Sequence, residues 1–442
     1  MPQPSTRSKK KGAVARAGAS SYERAFSEIV SLEKFGSRLG LERIRVILSA
    51  LGNPQTSARC IIVGGSNGKG STVEMIGSVL SEAGFRTGTY FSPQIEEFPE
   101  RFRVDGKNAG RQEIAEAYFE VKGACAKKKI EATFFEVVTA MALLIFRKRR
   151  VDFAVLEVGL GGRLDAVNAC EPEISAISSV SLEHTQVLGS TIGEIAHEKC
   201  GIAREGKALV CGFLQGDAKA AVAKECRKIG ARAIFAEDEV KIIGEREKNG
   251  CRSFSAAFGG KTYRISLSAP GKFQMSNACV ALAVCTKLGA GKKEIEKGIA
   301  KVSPAYRFQK IGAAPLAFAD CAHNPEAAGA LAGELSGIRV GGRRVLVFSA
   351  MKDKDYAAVL RTLAKCFDAA VLCEVPVARS AGLIELFSVS RKLYPEILLV
   401  KEPQRAIAVA KSIAGKEGLV VVAGSIYLLA ELYGKDKTRV AQ

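Results

Sequence analysis

The sequence lacks the features that would place the protein in a membrane, on a secretory route or among small zinc domains. No apolar run approaches the roughly 18 residues needed to cross a bilayer. The N-terminus has no apolar segment of the kind that marks a signal peptide. The twelve cysteines are scattered without a C-x-x-C pair or cluster. We therefore expect free thiols in a reducing cytoplasm and no membrane partner.

The length and composition are those of a large folded protein, and its positive charge is compatible with anionic ligands. The 442 residues suffice for two or three domains, and 47% of them are hydrophobic. A net charge of +19 raises the question of nucleic-acid binding. Residues 1–20 contribute to this charge as an expected disordered basic tail. The remaining excess is spread along the chain without base-stacking aromatic residues between the arginines, so small anionic substrates explain it equally well.

A glycine-rich stretch is the strongest functional signal in the chain. Residues 61–72 read IIVGGSNGKGST, and a helical pattern follows at residues 73–83. Glycines let backbone N–H groups turn towards one anion, Lys69 adds positive charge, and Ser71 or Thr72 offers a hydroxyl to Mg²⁺. The stretch predicts nucleotide phosphate binding at a helix N-terminus. Its loop is one residue shorter than the common G-x-x-x-x-G-K pattern, and a glycine separates the lysine from the serine.

Strands alternate with helical patterns along the chain, after a helical stretch at residues 22–51. Apolar runs that read as strands lie at residues 153–157, 174–180, 316–320, 345–349, 369–374, 397–400 and 420–424. Such alternation implies right-handed crossovers and parallel sheets covered on both faces. We predict an α/β fold in which a parallel-sheet ATPase domain with the phosphate loop precedes a smaller Rossmann-like α/β domain.

Polar residues follow several of the predicted strands. They are Ser92, at the Ser-Pro turn that ends a strand predicted at residues 87–93, Glu157 and His184 in the first domain, and His323 in the second. Ligands of parallel sheets collect at the carboxyl ends of strands, so the first three should lie beside the phosphate loop. Mg²⁺ prefers oxygen ligands, which favours Glu157 and Ser92, whereas His184 is an unusual ligand on principle alone. The third histidine, His197, lies within a helical pattern and is assigned a structural role.

With these residues in place, the chain resembles the folylpolyglutamate synthase and dihydrofolate synthase family, relatives of the Mur ligases. The resemblance covers roughly residues 22 to 435. Its most specific motifs are the short phosphate loop and the run LEVGLGGRLD at residues 156–165. The other matching stretches are GLERI at 40–44, Ser92 with Pro93, Glu100 with Arg101, TFFE at 133–136, His184 with Leu188 and Gly189, Glu198 with Lys199, Asn277 with Ala278, Arg307, Asp320 with AHNP at 322–325, Lys354 with Asp355, and Gly424 with Ser425.

The resemblance implies a set of site residues. It divides the chain into a Mur-ligase-type ATP-binding central domain at residues 21–303 and a C-terminal glutamate ligase domain at 304–442. The implied ATP contacts are Asn67, Gly68, Lys69, Gly70, Ser71, Thr72, Asn277, Arg307 and Asp320. The implied catalytic residues are Lys69, Lys199 and His323, and the implied metal ligands are Ser92, Glu157, His184 and Lys199. The implied acceptor contacts are Leu41, Glu42, Arg43, Phe135, Leu164, Asp165 and Ala166.

The same resemblance implies cofactors and a reaction. ATP and Mg²⁺ are expected, with a second metal held through a carbamylated Lys199 and a monovalent cation as a further candidate. The reaction would add L-glutamate to the carboxylate of dihydropteroate, to the γ-carboxylate of folates, or to both, through an acyl phosphate. We expect a monomer whose partners are these small molecules and not nucleic acid.

The chain also departs from the family pattern. Gln94, Glu183 and Phe273 stand where the family usually has histidine, aspartate and histidine. Three other readings stay open. They are another Mur-type amino-acid ligase with a different carboxylate acceptor, a catalytically idle binding module, and a nucleic-acid-binding P-loop ATPase.

Overall fold

The computed structural model describes residues 20–435, apart from residues 33–35, 37, 215, 249–250 and 270. The expected basic tail therefore lies outside the described residues, except for Ser20. This residue belongs to the folded chain, because its hydroxyl accepts a hydrogen bond from the Glu23 N–H while the Glu23 carboxylate accepts one from the Ser20 N–H. Within the described part, no helix is both long enough and apolar enough to span a membrane.

An eight-stranded sheet carries the phosphate loop. Its strands are β1 (Arg59–Gly64), β2 (Thr87–Tyr90), β3 (Phe102–Val104), β4 (Lys107–Asn108), β5 (Phe153–Glu157), β6 (Pro172–Ile177), β7 (Ala208–Cys211) and β8 (Arg232–Phe235). They lie in the order β4-β3-β2-β5-β1-β6-β7-β8. The six strands from β2 to β8 are parallel, as predicted, and β3 and β4 add an antiparallel edge.

Helices cover both faces of this sheet. They are α1 (Ser21–Ser31), α2 (Glu42–Ala50), α3 (Lys69–Glu82), α4 (Arg111–Lys128), α5 (Phe134–Lys148), α6 (Thr185–Leu188), α7 (Ile192–Cys200), α8 (Gly216–Ile229), α9 (Ala236–Glu239), α10 (Lys272–Lys287) and α11 (Lys292–Ala300). One core includes α1, α2, α4 and α5, and the opposite core includes α3, α10 and α11. The helical stretch expected at residues 22–51 is two helices, because Gly36 and Gly40 have positive φ and interrupt the pattern.

A small antiparallel sheet follows the main one. It consists of β9 (Lys241–Lys248), β10 (Cys251–Phe258) and β11 (Lys261–Leu267), in the order β11-β10-β9. Alternate residues of β10 and β11 are buried, as expected for strands with one face on a core. That buried face joins the same core as α10 and α11.

The predicted second α/β unit has a six-stranded sheet of its own. Its strands are β12 (Gln309–Ala313), β13 (Leu316–Ala319), β14 (Arg344–Phe348), β15 (Ala369–Leu372), β16 (Glu396–Leu399) and β17 (Leu419–Ala423), in the order β12-β13-β17-β14-β15-β16. Its helices are α12 (Pro325–Leu335), α13 (Tyr356–Ala364), α14 (Leu383–Ser390), α15 (Pro403–Ala414) and α16 (Ile426–Tyr433). Only β12 runs antiparallel to its neighbour.

Candidate active site

The phosphate loop joins β1 to α3 in the shape expected for anion binding. Gly68 has a φ of +84°, and a Cβ atom there would lie 2.3 Å from Asn277 Oδ1. Both facts restrict the position to glycine. The neighbouring strand fixes the loop tip, since the Asn67 N–H donates to Ser179 Oγ at 2.9 Å and the Ser178 hydroxyl donates to the Asn67 carbonyl at 2.6 Å. The N-terminus of α3, which favours anions, thus stands at the carboxyl edge of the sheet.

The lysine and hydroxyl groups of the loop have different surroundings. Lys69 Nζ donates to two carbonyl oxygens of its own loop, at 3.0 and 3.2 Å, and so lies where phosphate oxygens would bind. The Thr72 hydroxyl donates to the Gly68 carbonyl at 2.9 Å within α3. Ser71 Oγ only accepts, from Gln274 Nε2 at 3.3 Å. Of the two hydroxyls, Ser71 is therefore the one with a donor still available.

Glu157 is the buried carboxylate of the site. It ends β5, and its Oε2 accepts a hydrogen bond from the Ser92 backbone N–H at 3.1 Å. A Cβ atom on Gly70 would lie 3.4 Å from the same oxygen, so Glu157 adjoins the phosphate loop. Burial raises the pKa of Glu157 to about 7, although the charge of Lys69 opposes the rise. A buried carboxylate with one backbone donor suits a hard divalent cation, as does the Ser92 hydroxyl.

His184 faces the second domain. It has a left-handed φ of +47°, and its Nε2 lies 2.9 Å from Lys354 Nζ. Burial, and then the charge of Lys354, lower the pKa of His184 to about 4, so the neutral ring accepts a hydrogen bond from the lysine. Coordination of a metal through Nε2 would require exchange of this partner. Among the described residues, no group of three or more His, Cys, Asp or Glu side chains forms a ready-made metal site.

Lys199 and Glu183 form a buried ion pair beside this histidine. Their Nζ and Oε1 atoms are 2.8 Å apart, and only 1% and 6% of the two side chains are exposed. Burial lowers the pKa of Lys199, while Glu183 opposes the effect. Burial alone would raise the pKa of Glu183, but the Lys199 charge holds it below its usual range. The opposite charges of Lys199 and Glu183 thus compensate each other within the site.

The second domain supplies an arginine, an aspartate and a histidine. Asp320 accepts hydrogen bonds from two backbone N–H groups at 2.7 and 2.8 Å. Burial raises the pKa of Asp320 to about 6 against the attraction of buried Arg307. His323 Nδ1 lies 2.8 Å from the Cys321 carbonyl and must donate to it, which leaves Nε2 as an acceptor. Burial lowers the pKa of His323 to about 4.

An apolar cavity lies beside a second glycine-rich loop, which follows β5 at residues 158–163. Four predicted acceptor residues line it, namely Phe135, Leu164, Asp165 and Ala166. The other three predicted residues do not line it. Leu41 precedes α2, Glu42 begins that helix, and Arg43 forms an ion pair with buried Glu136 at 2.9 Å. Residues 38–40, just before them in the chain, line the cavity instead. The additional lining residues are Arg38, Leu39, Gly40, Thr133, Glu136 and Leu160.

Asp165 has a structural task at the cavity wall. Its Oδ2 accepts hydrogen bonds from the backbone N–H groups of Gly159 and Leu160, at 3.0 and 2.9 Å. Its Oδ1 accepts one from Val167 at 3.0 Å. Oδ2 therefore holds the glycine-rich loop in place, whereas Oδ1 caps the short helix at Ala166–Ala169.

Several groups at the boundary between the two domains, called the cleft from here on, were not assigned roles from the sequence. Lys354, Asn324 and Glu326 all reach the first domain from the second. Two of them fall within matched motifs, but no local signal shows which distant side chain they touch. The partners are separated by 170 residues for Lys354 and by 257 for Asn324.

A phosphate loop on a parallel sheet, a buried carboxylate beside it and a second α/β domain facing the same cleft are the features of the Mur ligase class. The family model of the Mur ligase middle domain matches residues 63–285, and that of the Mur ligase, glutamate ligase domain matches residues 306–426. The chain belongs to the folylpolyglutamate synthase and dihydrofolate synthase family of these ligases.

Individual relatives support this assignment. A probable bifunctional folylpolyglutamate synthase/dihydropteroate synthase of Haloferax volcanii is 32% identical over 93% of this chain. The chain spans 50% of that protein, about half its length. The dihydrofolate synthase/folylpolyglutamate synthase of Bacillus subtilis is 31% identical over 93% of this chain and 98% of its own. A crystal structure of a bifunctional folylpolyglutamate synthase/dihydrofolate synthase with Mn, AMPPNP and L-glutamate bound has a TM-score of 0.82, at 30% identity over 92% of this chain and 97% of that one.

Proposed function

We propose that the protein is an ATP-dependent ligase that adds L-glutamate to the carboxylate of dihydropteroate, to the γ-carboxylate of folates, or to both. The observation that carries this proposal is the meeting of three features at one cleft: the phosphate loop with Lys69, the buried Glu157, and residues of the second domain. The relative solved with a nucleotide analogue, a divalent metal and L-glutamate supports it.

The residues of the cleft suit formation of an acyl phosphate. An oxygen of the acceptor carboxylate attacks the γ-phosphorus of ATP, and the bond to ADP breaks. The amine of glutamate then attacks the acyl carbon, phosphate leaves, and the amine loses a proton. In the first step Lys69 and Arg307 would neutralise and align the phosphates, which is the main source of catalysis in phosphoryl transfer. Neutral His323, with Nε2 free to accept, is our candidate to take the proton of the amine.

The domains would divide this work. We propose that residues 21–303 bind ATP and that residues 304–442 carry the glutamate ligase domain. The last helix of the first part, α11, ends at Ala300, and the first strand of the second, β12, begins at Gln309. Asn277 lies against the phosphate loop, whereas Arg307 and Asp320 approach from the second domain, so the nine proposed ATP contacts come from both.

Magnesium would be held by Ser92 and Glu157, with His184 joining if it releases Lys354. Bound there, the ion would neutralise charge on the transferred phosphoryl group. A carbamylated Lys199 would hold a second metal ion, and a monovalent cation is a further proposed ligand of the site. Carbamylation requires the Lys199 amine to leave Glu183, and its buried position beside the cleft supports a role there.

The acceptor would lie in the cavity lined by Phe135, Leu164 and Ala166, whose apolar and aromatic atoms suit a pteridine and an aminobenzoyl ring. Partners would be small anionic molecules, which fits the net charge of +19. We also propose a monomer in the cytoplasm without a nucleic-acid partner. All twelve cysteines are free thiols, which supports a reducing compartment.

Labelled L-glutamate offers a direct test. The full chain is incubated with Mg²⁺, ATP and either dihydropteroate or tetrahydrofolate, and label in the product is measured with ADP release. ATP-dependent incorporation with one or both acceptors is the expected result. Incorporation of another amino acid, or with another carboxylate only, would replace the proposal by a different Mur-type ligase. ATP turnover stimulated by DNA or RNA and not by either acceptor would favour a nucleic-acid-dependent ATPase.

A further inference from the structure

The tip of the phosphate loop touches the second domain through a pair of asparagines. Asn324 Nδ2 donates to Asn67 Oδ1 at 2.9 Å, and Asn67 Nδ2 donates to Asn324 Oδ1 at 3.3 Å. Asn67 Nδ2 also donates to Glu326 Oε2. Asn324 is almost completely buried, with 3% of its surface exposed. The side chain of Asn67, on the nucleotide loop, therefore binds the opposite domain.

The amide orientations are fixed by other contacts. Asn324 Oδ1 accepts a hydrogen bond from the Ala327 N–H at 2.9 Å, which caps α12. That oxygen must accept, so Asn324 Nδ2 is the atom that donates to Asn67. The carboxylate of Glu326 can only accept, so Asn67 Nδ2 must face it. Each donor in the pair thus meets an acceptor.

The asparagine pair links the phosphate loop to α12, two elements whose relative position matters for the reaction. On one side, the backbone of Asn67 is held by Ser178 and Ser179 at the end of β6. On the other side, Asn324 caps the N-terminus of α12 and directly follows His323. A shift of the loop tip would therefore move the start of α12, and with it the histidine, relative to the phosphate site.

We infer that Asn67 and Asn324 are positioning residues that hold the second domain over the phosphate loop, so that their pairing governs the glutamate step more than ATP affinity. The inference rests on the proposed function. The side chain of Asn67 would bind Asn324 and Glu326 of the opposite domain, which leaves the backbone of Asn67 for the proposed contact with ATP.

Asn324→Ser is the first test. Serine still caps α12 but has no amide to pair with Asn67. We expect about a tenfold loss in kcat/KM for glutamate, with the dissociation constant of Mg²⁺ and an ATP analogue changed less than about twofold. Ser20→Asn, the reverse exchange at the exposed cap of α1, is the matched control and should leave both quantities unchanged. Unaltered glutamate kinetics in Asn324→Ser would overturn the inference.

A rescue experiment tests the pairing itself. In Asn67→Asp, a carboxylate oxygen replaces Nδ2 and faces the acceptors of Asn324 and Glu326, so kcat/KM for glutamate should fall about 10- to 100-fold. Adding Glu326→Gln supplies an amide that can donate to the new carboxylate, and we expect about tenfold recovery. Loss in the single variant with no recovery in the double variant contradicts the inference, because the restored hydrogen bond between residues 67 and 326 should restore the contact between domains.

One readout separates this inference from the proposed function. Small-angle scattering of the full chain with Mg²⁺ and an ATP analogue reports domain arrangement without any acceptor. We expect a larger radius of gyration for Asn324→Ser than for the unmodified chain and for Ser20→Asn. Equal radii for all three proteins would refute the positioning role, even in a protein that ligates glutamate. A difference found in a chain that ligates no glutamate would refute the proposed function alone.

Discussion

Glu157→Gln should stabilise the metal-free protein while abolishing its turnover. Burial raises the pKa of Glu157 from 4.5 to about 7. Between pH 4.5 and about 7, Glu157 keeps its proton in the folded state but has lost it in the unfolded state. The free energy of unfolding therefore decreases as pH rises through this interval. A shift from 4.5 to about 7 corresponds to roughly 3 kcal/mol once the group is ionised, near pH 8. The neutral glutamine avoids that cost, so most of the gain should be present at pH 8 and little at pH 5.

Urea denaturation in the presence of a chelator measures this gain. The midpoint of Glu157→Gln should exceed that of the unmodified protein at pH 8, and the two should converge at pH 5. Mg²⁺ should restore the midpoint of the unmodified protein only, because the ion compensates the buried charge. Glu116→Gln, at an exposed glutamate of α4, provides the control and should show neither effect. A glutamine variant that is less stable at pH 8, or a gain equal at both pH values, would refute the reasoning.

Three further predictions concern the phosphate loop and Lys199. Lys69→Ala should abolish ADP release with an unchanged circular dichroism spectrum, because it removes the loop cation; normal turnover would contradict its role. Gly68→Ala should lower stability by about 1–3 kcal/mol and eliminate nucleotide binding, since the new methyl group meets Asn277 Oδ1 at 2.3 Å. Gly84→Ala, with a similar φ of +88° and open space around it, should cost less and retain binding. Mass spectrometry of active enzyme under CO₂ should detect a carbamate on Lys199, and an amine alone would exclude it.

The fold could be predicted because its signals are local. The phosphate loop requires glycines at particular backbone angles, and buried parallel strands have short apolar runs in their sequence. The carboxyl ends of such strands meet at one edge of the sheet, and this rule predicts that Ser92 and Glu157 lie close together. The antiparallel edge at β3 and β4 escaped prediction because these strands are too short to show a period.

Contacts between side chains could be predicted much less well. Arg43 was predicted as an acceptor contact, but its ion pair with the buried carboxylate of Glu136 was not predicted. The ion pair is a long-range contact, 93 residues apart in the chain, and nothing in the sequence around either residue indicates it. Likewise Lys354 meets His184 only because two domains with separate hydrophobic cores face each other.

The free-energy cost of burying charged side chains at the cleft indicates that these residues serve function and not stability. Glu157 and Asp320 both have raised pKa values, and Lys199 and Lys354 have lowered ones, each mainly because burial disfavours the charged form. A well-packed apolar core would avoid these penalties. Strong perturbation of acids and bases at one cleft is typical of catalytic sites. Because lysines face the cleft on both sides of the domain boundary, a polyanion such as ATP would relieve the repulsion among them and draw the two domains together.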